Sequence, residues 1–185
     1  MIQKNLFVNV GNFFFRYRSY LPIPIILLAF YIYYISPIIK IDSFMFNSCL
    51  SISLTGLLIR IFVVGHSFDK TSGRNTKSQL AIKINKTGIY SLIRHPLYLG
   101  NFLIWFGVSL ITYNLYFVIL SLVSYWFIYI PIILAEEDYL IKKFKNEYKS
   151  YSSSIPAIIP NFRKWVSPEL SFNYKKVLLN EKNGL

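Results

Sequence analysis

The residues best suited to chemistry lie at the two ends of one uncharged apolar stretch. Arg94 and His95 precede this stretch, Glu136 and Glu137 follow it, and no charged residue occurs over 97–135. A guanidinium beside an imidazole suits a carboxylate or a phosphate, whereas paired carboxylates suit an ammonium group. If the stretch folds as a membrane hairpin, both clusters face water on the same side of the bilayer. They would then form one site at the membrane edge.

A helix start is predicted directly after His95. Proline lacks a backbone N–H and fits the first turn of a helix, so Pro96 places His95 at the cap. The free N–H groups of such a helix start favour an anion. Tyr98 adds a hydroxyl one turn into the helix, and Gly100 allows a helix or a ligand to approach closely. The residues alone leave a second interpretation open, a basic membrane anchor with a proline start.

The acidic pair is also open to two interpretations. Asp138 follows Glu136 and Glu137, and neighbouring side chains on a helix lie about 100° apart, so the three acids cannot all face one point and at most one or two line a site. We favour Glu137 as the ligand-binding residue with Glu136 as its neighbour, and we expect Arg94 or a ligand ammonium as the partner. The alternative is a set of solvated acids that ends a membrane helix.

A polar segment at 67–79 supplies hydroxyls, an amide, a guanidinium and a glycine. Its Arg74 and Asn75 are candidate substrate-binding residues, because such groups hydrogen-bond to phosphate. His66, at the end of the preceding apolar stretch, is a third candidate. The segment matches no strict phosphate-loop pattern, so a plain solvated loop is the alternative.

Membrane helices are the elements expected to position these residues. The 185-residue chain is 54% hydrophobic and 18% aromatic, which is too apolar for an ordinary soluble domain. Apolar stretches occur at 20–39, 43–65 and 97–135. The last is long enough for two short helices, about 96–111 and 115–135, with a turn at 112–114. We therefore predict an all-α, polytopic membrane protein with about four transmembrane helices, the third and fourth forming a short hairpin.

The basic residues indicate the orientation of these helices. Apart from Lys40 in a loop on the opposite side and Arg60 inside the second apolar stretch, they occur before the first helix, between the second and the third, and after residue 135. By the positive-inside rule, both termini and the middle loop are cytoplasmic. The net charge of +12 therefore reflects topology and attraction to anionic lipid headgroups, and it does not indicate nucleic-acid binding. Because Cys49 is the only cysteine, disulfide and cysteine-rich metal frameworks are excluded.

The C-terminal region is predicted to lie on the membrane surface. Residues 140–151 alternate apolar and basic side chains at helical spacing, which is typical of an amphipathic interfacial helix. Serines and two prolines then break the helix. The segment 155–162 is expected to be extended and able to fold back over the helix ends, as a lid or as a linker.

Several of these residues form a wider pattern. It comprises Gly88-Ile89-Tyr90, the run from Arg94 to Gly100, the run from Glu136 to Leu140, Phe144, Tyr148, Tyr151 and Pro160. The pattern resembles the isoprenylcysteine carboxyl methyltransferase and phospholipid methyltransferase family of integral membrane methyltransferases, over about 86–162. The resemblance implies an S-adenosylmethionine cofactor at the cytoplasmic face. It also implies a lipid or lipid-linked acceptor from the bilayer: a phospholipid headgroup, a lipid phosphate or a prenylcysteine carboxylate.

The resemblance also implies roles for individual residues. The cofactor-binding residues would be Tyr90, His95, Tyr98, Gly100, Glu137 and Pro160, and the catalytic residues would be Arg94, His95 and Glu136. The acceptor would attack the sulfonium methyl in line. Positioning of the reactants and exclusion of water would then account for most of the rate acceleration, and no metal is needed. An amine acceptor would need a base, for which His95 or Glu136 are the candidates.

One departure leaves the acceptor open. Many relatives carry an arginine about one helical turn before the acid pair, and this chain has no charge over 131–134. Two other functions are alternatives. One is an NADPH-dependent sterol-type reductase, although the reductase pattern has asparagine where this chain has Leu97. The other is a non-enzymatic, lipid-binding membrane adaptor.

The predicted organisation is one membrane domain over 1–185, with a cofactor-binding and catalytic region at 86–162 and a cytoplasmic tail at 163–185. The protein is expected to be multi-pass in a bacterial-type inner membrane or an internal membrane. The sequence does not indicate its oligomeric state.

Overall fold

The structure, a computed structural model, describes residues 2–35, 42–69 and 79–181. The chain in these ranges folds into six α-helices: α1 (Ile2–Tyr17), α2 (Pro22–Ile35), α3 (Ser43–His66), α4 (Pro96–Leu110), α5 (Leu115–Ser154) and α6 (Tyr174–Glu181). The described residues form no β-strand, and one isolated antiparallel bridge joins Gly88 to Val166. The all-α prediction is confirmed.

The membrane-spanning potential of the helices differs from the predicted count. Within the described ranges, α3 and α5 are long and apolar enough to cross a membrane, and α1 and α2 pass the same test only as a pair bent by 65°. Helix α4 has 15 residues, fewer than the about 20 that a span needs. The structure thus supports two candidate spans, or three with the bent pair, and the prediction of four is not confirmed.

The N-terminal region departs from the prediction in a second way. The charge-free stretch predicts one helix over 20–39, whereas α2 covers Pro22–Ile35, and residues 36–41 lie outside the described ranges. Helix α1, which was not predicted, precedes it. Gly11 and Phe15 are buried at helical spacing, and a Cβ at Gly11 would collide with the carbonyl of Pro131. Helix α1 therefore packs closely along α5.

Small residues set the contact between α3 and α4. A Cβ at Gly56 would lie 2.5 Å from the carbonyl oxygen of Gly100, and a Cβ at Gly107 would lie 2.6 Å from that of Cys49. Contact at these distances requires residues without a side chain, because only then can two helix backbones touch. The close contact fixes the position of α4 against α3, and with it the start of α4.

Helix α5 continues well past the apolar stretch. Asn114 caps its start by accepting a hydrogen bond from the N–H of Phe117 at 3.0 Å, which confirms the predicted turn at 112–114. The helix then continues to Ser154 with one kink at Lys145, where φ is +48°. This break falls inside the stretch 140–151, so the predicted amphipathic helix is not confirmed as one continuous element.

Two C-terminal segments fold back onto the loop before α4. The N–H of Asn161 donates to the carbonyl of Leu92 at 3.0 Å, and the N–H of Gly88 donates to that of Val166 at 2.8 Å. Gly88 adopts φ +62° and ψ −138°, a conformation that favours glycine. The segment 155–162 thus folds back as the sequence predicts. A second segment, 165–169, also contacts this loop.

Helix α6 packs against the C-terminal end of α3. The ring of Phe172 fills the space beside Gly65, and Lys176 donates to the carbonyl of Ser67 and pairs with Asp69 at 3.2 Å. The described part of the predicted tail therefore covers the end of α3.

Candidate active site

The start of α4 lies where the sequence predicts it. Pro96 is the first helical residue and His95 is its N-cap. The backbone N–H groups of Arg94 and His95 donate to the carbonyls of Pro156 and Ala157, at 2.9 and 3.2 Å. The folded-back segment thus takes up these two donors, so the anion site predicted at the helix start lacks them.

Arg94 and Glu137 form an ion pair that is mostly buried. Nε and Nη2 of Arg94 both donate to Oε1 of Glu137, at 2.9 and 2.5 Å, and the two side chains are 13% and 20% exposed. Nη1 of Arg94 donates to the carbonyls of Ser152 and Ile155, at 2.7 and 2.6 Å. The guanidinium therefore ties the end of α5 to the loop before α4. The expected partnership of Arg94 with the acid pair is present.

His95 lies between both carboxylates. Its Nε2 is 3.1 Å from Oε1 of Glu137, its Nδ1 is 3.7 Å from Oε2 of Glu136, and its side chain is 3% exposed. Burial by itself would lower the pKa of His95, but hydrogen bonds and charge interactions with Glu136 and Glu137 raise it above the ordinary value. The imidazole is thereby stabilised in its protonated form.

Glu136 faces a different environment from its neighbour. Its Oε2 accepts a hydrogen bond from the hydroxyl of Tyr98 at 2.8 Å, and the Tyr98 ring stacks on His95 with 5.7 Å between ring centroids. The Glu136 side chain is 31% exposed and lines a cavity, whereas Glu137 is not among the lining residues. The carboxylate that can meet a ligand is therefore that of Glu136.

The cavity lies where α3, α4 and α5 meet the loop before α4, and its volume is about 490 Å³. Of the predicted site residues, its wall includes Tyr90, Arg94, His95, Tyr98 and Glu136. Further polar groups on the wall come from Arg18, Arg60, Lys83, Asn85, Asn101 and Lys176. Carboxylate, guanidinium and ammonium groups thus border one space, which can hold a ligand that carries both signs of charge.

Tyr148 and Tyr90 add two neutral polar groups to the wall. Tyr148 is 1% exposed, lines the cavity, and its hydroxyl finds no hydrogen-bond partner among the residues that the structure describes. An unpaired buried hydroxyl is costly, so a ligand group that met it would be favoured. Burial raises the pKa of Tyr90, which keeps its phenol neutral. The backbone carbonyl of Tyr90 accepts from the hydroxyl of Tyr151 at 2.6 Å, which fixes the loop.

Residues that the sequence analysis did not select bring further charge to the cavity. Arg60 on α3 donates to Oδ1 of Asn101, and Nδ2 of Asn101 donates to the hydroxyl of Tyr129 at 3.4 Å. Arg18 reaches the wall from the turn that follows the unpredicted helix α1. A signal for Arg60 was present, since it is the one charge in the apolar stretch 43–65, and ionisable residues in such stretches are usually functional.

Other predicted site residues lie away from the cavity wall. Gly100 packs against α3, where a Cβ would lie 2.7 Å from Cγ of Arg60, and Pro160 is part of the folded-back segment. The Nδ1 atom of His66 lies 3.0 Å from the carbonyl oxygen of Phe62, and its ring contacts that of Phe172. None of the three lines the cavity. Arg74 and Asn75 lie outside the described residues.

Comparison with known proteins gives consistent matches. Residues 43–147 match the family described as phospholipid methyltransferase. The protein-S-isoprenylcysteine O-methyltransferases of Saccharomyces cerevisiae and Schizosaccharomyces pombe are 34% and 28% identical to the chain over 102 and 131 residues. A methanethiol S-methyltransferase of Crocosphaera subtropica is 25% identical over 126 residues. No solved structure matches the chain.

The alignments cover part of each protein. They include 55%, 66% and 65% of this chain and 42%, 56% and 48% of the three relatives, in the same order. The chain thus spans about half the length of these relatives. The family match ends before the folded-back segment and α6, and it begins after α1.

Proposed function

Since the chain belongs to the phospholipid methyltransferase family, we propose that it is an S-adenosylmethionine-dependent methyltransferase. Its acceptor is a lipid or a lipid-linked molecule, methylated at the cytoplasmic face of a membrane. The named relatives are methyltransferases that act at oxygen or at sulfur. They favour neither the sterol-type reductase nor the adaptor.

The observation that carries the proposal is the cavity with charges of both signs beside the buried cluster of Arg94, His95 and Glu137. A volume of about 490 Å³ lies within the range of cofactor sites, roughly 300–1,000 Å³. S-adenosylmethionine carries an ammonium, a sulfonium and a carboxylate, and the wall offers Glu136 for the cations and basic side chains for the anion. The unpaired hydroxyl of Tyr148 supplies a further polar contact. The residues therefore fit the cofactor.

The two glutamates receive different roles. Glu136, which lines the cavity, binds the cationic part of the cofactor, and Tyr98 orients its carboxylate. Glu137 holds Arg94 and His95 in place and is a positioning residue. This division revises the sequence-based preference for Glu137 as the ligand-binding residue. It follows from the contacts that Oε1 of Glu137 already makes.

The cofactor supplies an activated methyl group, and the chain's own residues supply position and a dry site. Both ring nitrogens of His95 are directed at the two carboxylates, so where an acceptor must lose a proton, Glu136 on the cavity wall is the base. A carboxylate or a phosphate acceptor arrives already ionised and needs no base. The site is thus best suited to an acceptor that is an anion before transfer.

Methyl transfer by the purified protein tests the proposal. The full chain in phospholipid nanodiscs is incubated with methyl-labelled S-adenosylmethionine and, separately, with N-acetyl-S-farnesylcysteine, phosphatidic acid and phosphatidylethanolamine. Label in the lipid extract identifies the acceptor, and equilibrium dialysis measures cofactor binding. We expect Glu136→Gln to lose at least tenfold in cofactor affinity.

Glu147→Gln is the matched control, because Glu147 lies on the same helix, is 51% exposed, and pairs with Lys86 at the surface. This variant should bind and transfer like the original protein. The proposal is wrong if the original protein neither binds S-adenosylmethionine nor labels any of the three acceptors. If Glu136→Gln and Glu147→Gln changed cofactor affinity equally, Glu136 would not be a cofactor-binding residue.

A further inference from the structure

Arg60 is a charged residue in an otherwise apolar helix. It lies six residues before the end of α3, after an uncharged run over 43–59. Keeping a guanidinium at such a position costs free energy, so ionisable residues there usually face a cavity and serve a ligand or an ion. Arg60 does line the cavity.

The orientation of Arg60 is set from the two neighbouring helices. Asn101 on α4 accepts from Nη1 of Arg60 and donates to the hydroxyl of Tyr129 on α5. Gly100 provides room for the arginine's methylene chain, since a Cβ there would lie 2.7 Å from Cγ of Arg60. Asn101 therefore holds the guanidinium of Arg60 in place beside the cavity.

The charged groups on the cavity wall lie at two depths. Asn101 follows Pro96 by five residues and Arg60 precedes His66 by six, which places both about 8–9 Å in from the helix ends at 1.5 Å per residue. Lys83 and Lys176 lie instead on the loop side, together with Asp69. Because α3 is long and apolar enough to cross a membrane, the deeper position of Arg60 lies toward the bilayer, the side on which a lipid-anchored molecule is held.

We propose that Arg60 binds the oxyanion of a lipid-linked acceptor, a carboxylate or a phosphate, and so selects acceptors that carry a negative charge. This inference rests on the proposed methyltransferase function. An acceptor oxygen forms a bond to the methyl carbon as the bond from carbon to sulfur breaks. A carboxylate thereby becomes a neutral ester, and the sulfonium becomes a neutral thioether. A phosphate loses one negative charge and keeps one. In both cases the product carries less negative charge opposite Arg60, which favours release.

The test compares a charged ligand with its uncharged counterpart. Binding of N-acetyl-S-farnesylcysteine and of its methyl ester is measured on the purified full chain, in the original protein and in Arg60→Gln. A second arm compares phosphatidic acid with diacylglycerol. We expect the original protein to bind at least one charged ligand about tenfold or more tightly than its uncharged counterpart, in line with the strength of charged hydrogen bonds. The arm with the larger preference identifies the source of the oxyanion.

Arg60→Gln should abolish this preference, because it should weaken binding of the charged ligand and leave binding of the uncharged ligand unchanged. Arg60→Lys keeps the charge but loses the planar fork, so it should keep part of the preference. If Arg60→Gln fails to fold, Arg60→Lys provides the test instead. Arg16→Gln is the matched control, because Arg16 is exposed on α1 and does not line the cavity. It should leave the preference unchanged.

Three results would overturn the inference. The first is that the original protein shows no charge preference in either arm. The second is that Arg60→Gln weakens binding of both members of a pair equally, and the third is that it weakens S-adenosylmethionine binding while the charge preference persists. The last result would assign Arg60 to the cofactor's carboxylate. Cofactor binding in the original protein keeps the two proposals apart. If it is present without a charge preference, only the role of Arg60 fails, and if it is absent together with transfer, the proposed function fails.

Discussion

Replacing Glu137 by glutamine should destabilise the protein far more than the same change at Glu136. Oε1 of Glu137 accepts from two nitrogens of Arg94 and lies 3.1 Å from Nε2 of His95. The substitution leaves a guanidinium that is 13% exposed and an imidazole that is 3% exposed without this carboxylate. Breaking a buried pair costs about 3–5 kcal/mol, and the 20% exposure of Glu137 favours the lower end, about 3 kcal/mol.

The loss is measurable as a shift in thermal unfolding. At roughly 2–4 °C per kcal/mol for a chain of this size, Tm should fall by about 6–12 °C. Tryptophan fluorescence in one detergent at constant pH follows the transition. Glu136→Gln should cost about 1 kcal/mol or less, because the hydroxyl of Tyr98 can still donate to the amide oxygen. Its effect should appear in cofactor affinity instead.

A second readout separates lost charge from general damage. The chain has two histidines, so the ring proton signals of His95 are assigned by comparison with His66→Gln. Removing one of the two flanking carboxylates should lower the pKa of His95 in Glu137→Gln. The reasoning fails if Glu137→Gln unfolds within about 2 °C of the original protein, or if Glu136→Gln is the less stable of the two. An unchanged His95 pKa would also contradict it.

Three further substitutions test separate contacts. Gly100→Ala should cost about 1–3 kcal/mol in unfolding free energy, because the new Cβ would lie 2.7 Å from Cγ of Arg60; an unchanged Tm would contradict the close contact of α3 and α4. Tyr148→Phe should not lower the unfolding free energy, because it removes a buried hydroxyl without a described partner, and it should weaken S-adenosylmethionine binding by about two- to tenfold, as measured by dialysis. His95→Gln tests the raised pKa through pH: the stability advantage of the original protein should be complete below about pH 6.5, the ordinary value, and should decline as pH rises through the raised folded pKa. An advantage that grew with pH between 6 and 9 would reverse the assigned sign.

Local sequence patterns predicted the helix boundaries near the site. Pro96 has no backbone N–H to lose, so it marks the start of α4 whatever the helix packs against. The polar residues at 112–114 end one apolar run and cap the next, and the structure has its turn there. The sequence patterns failed for α1, whose apolar face at Gly11 and Phe15 is short and lies among exposed aromatic residues. Its burial depends on α5, which lies more than a hundred residues away.

The sequence by itself determined the all-α class, the start of α4, and the polar residues that meet beside that start. These features depend on hydrogen bonds and apolar spacing within a few residues of the chain. Only the tertiary structure decided that Glu136 faces the cavity while Glu137 binds Arg94 and His95, and that Arg60 reaches the same cavity from α3. The physical reason is that neighbouring residues on a helix differ in direction by about 100°, and the direction that faces the cavity is set by packing between distant segments.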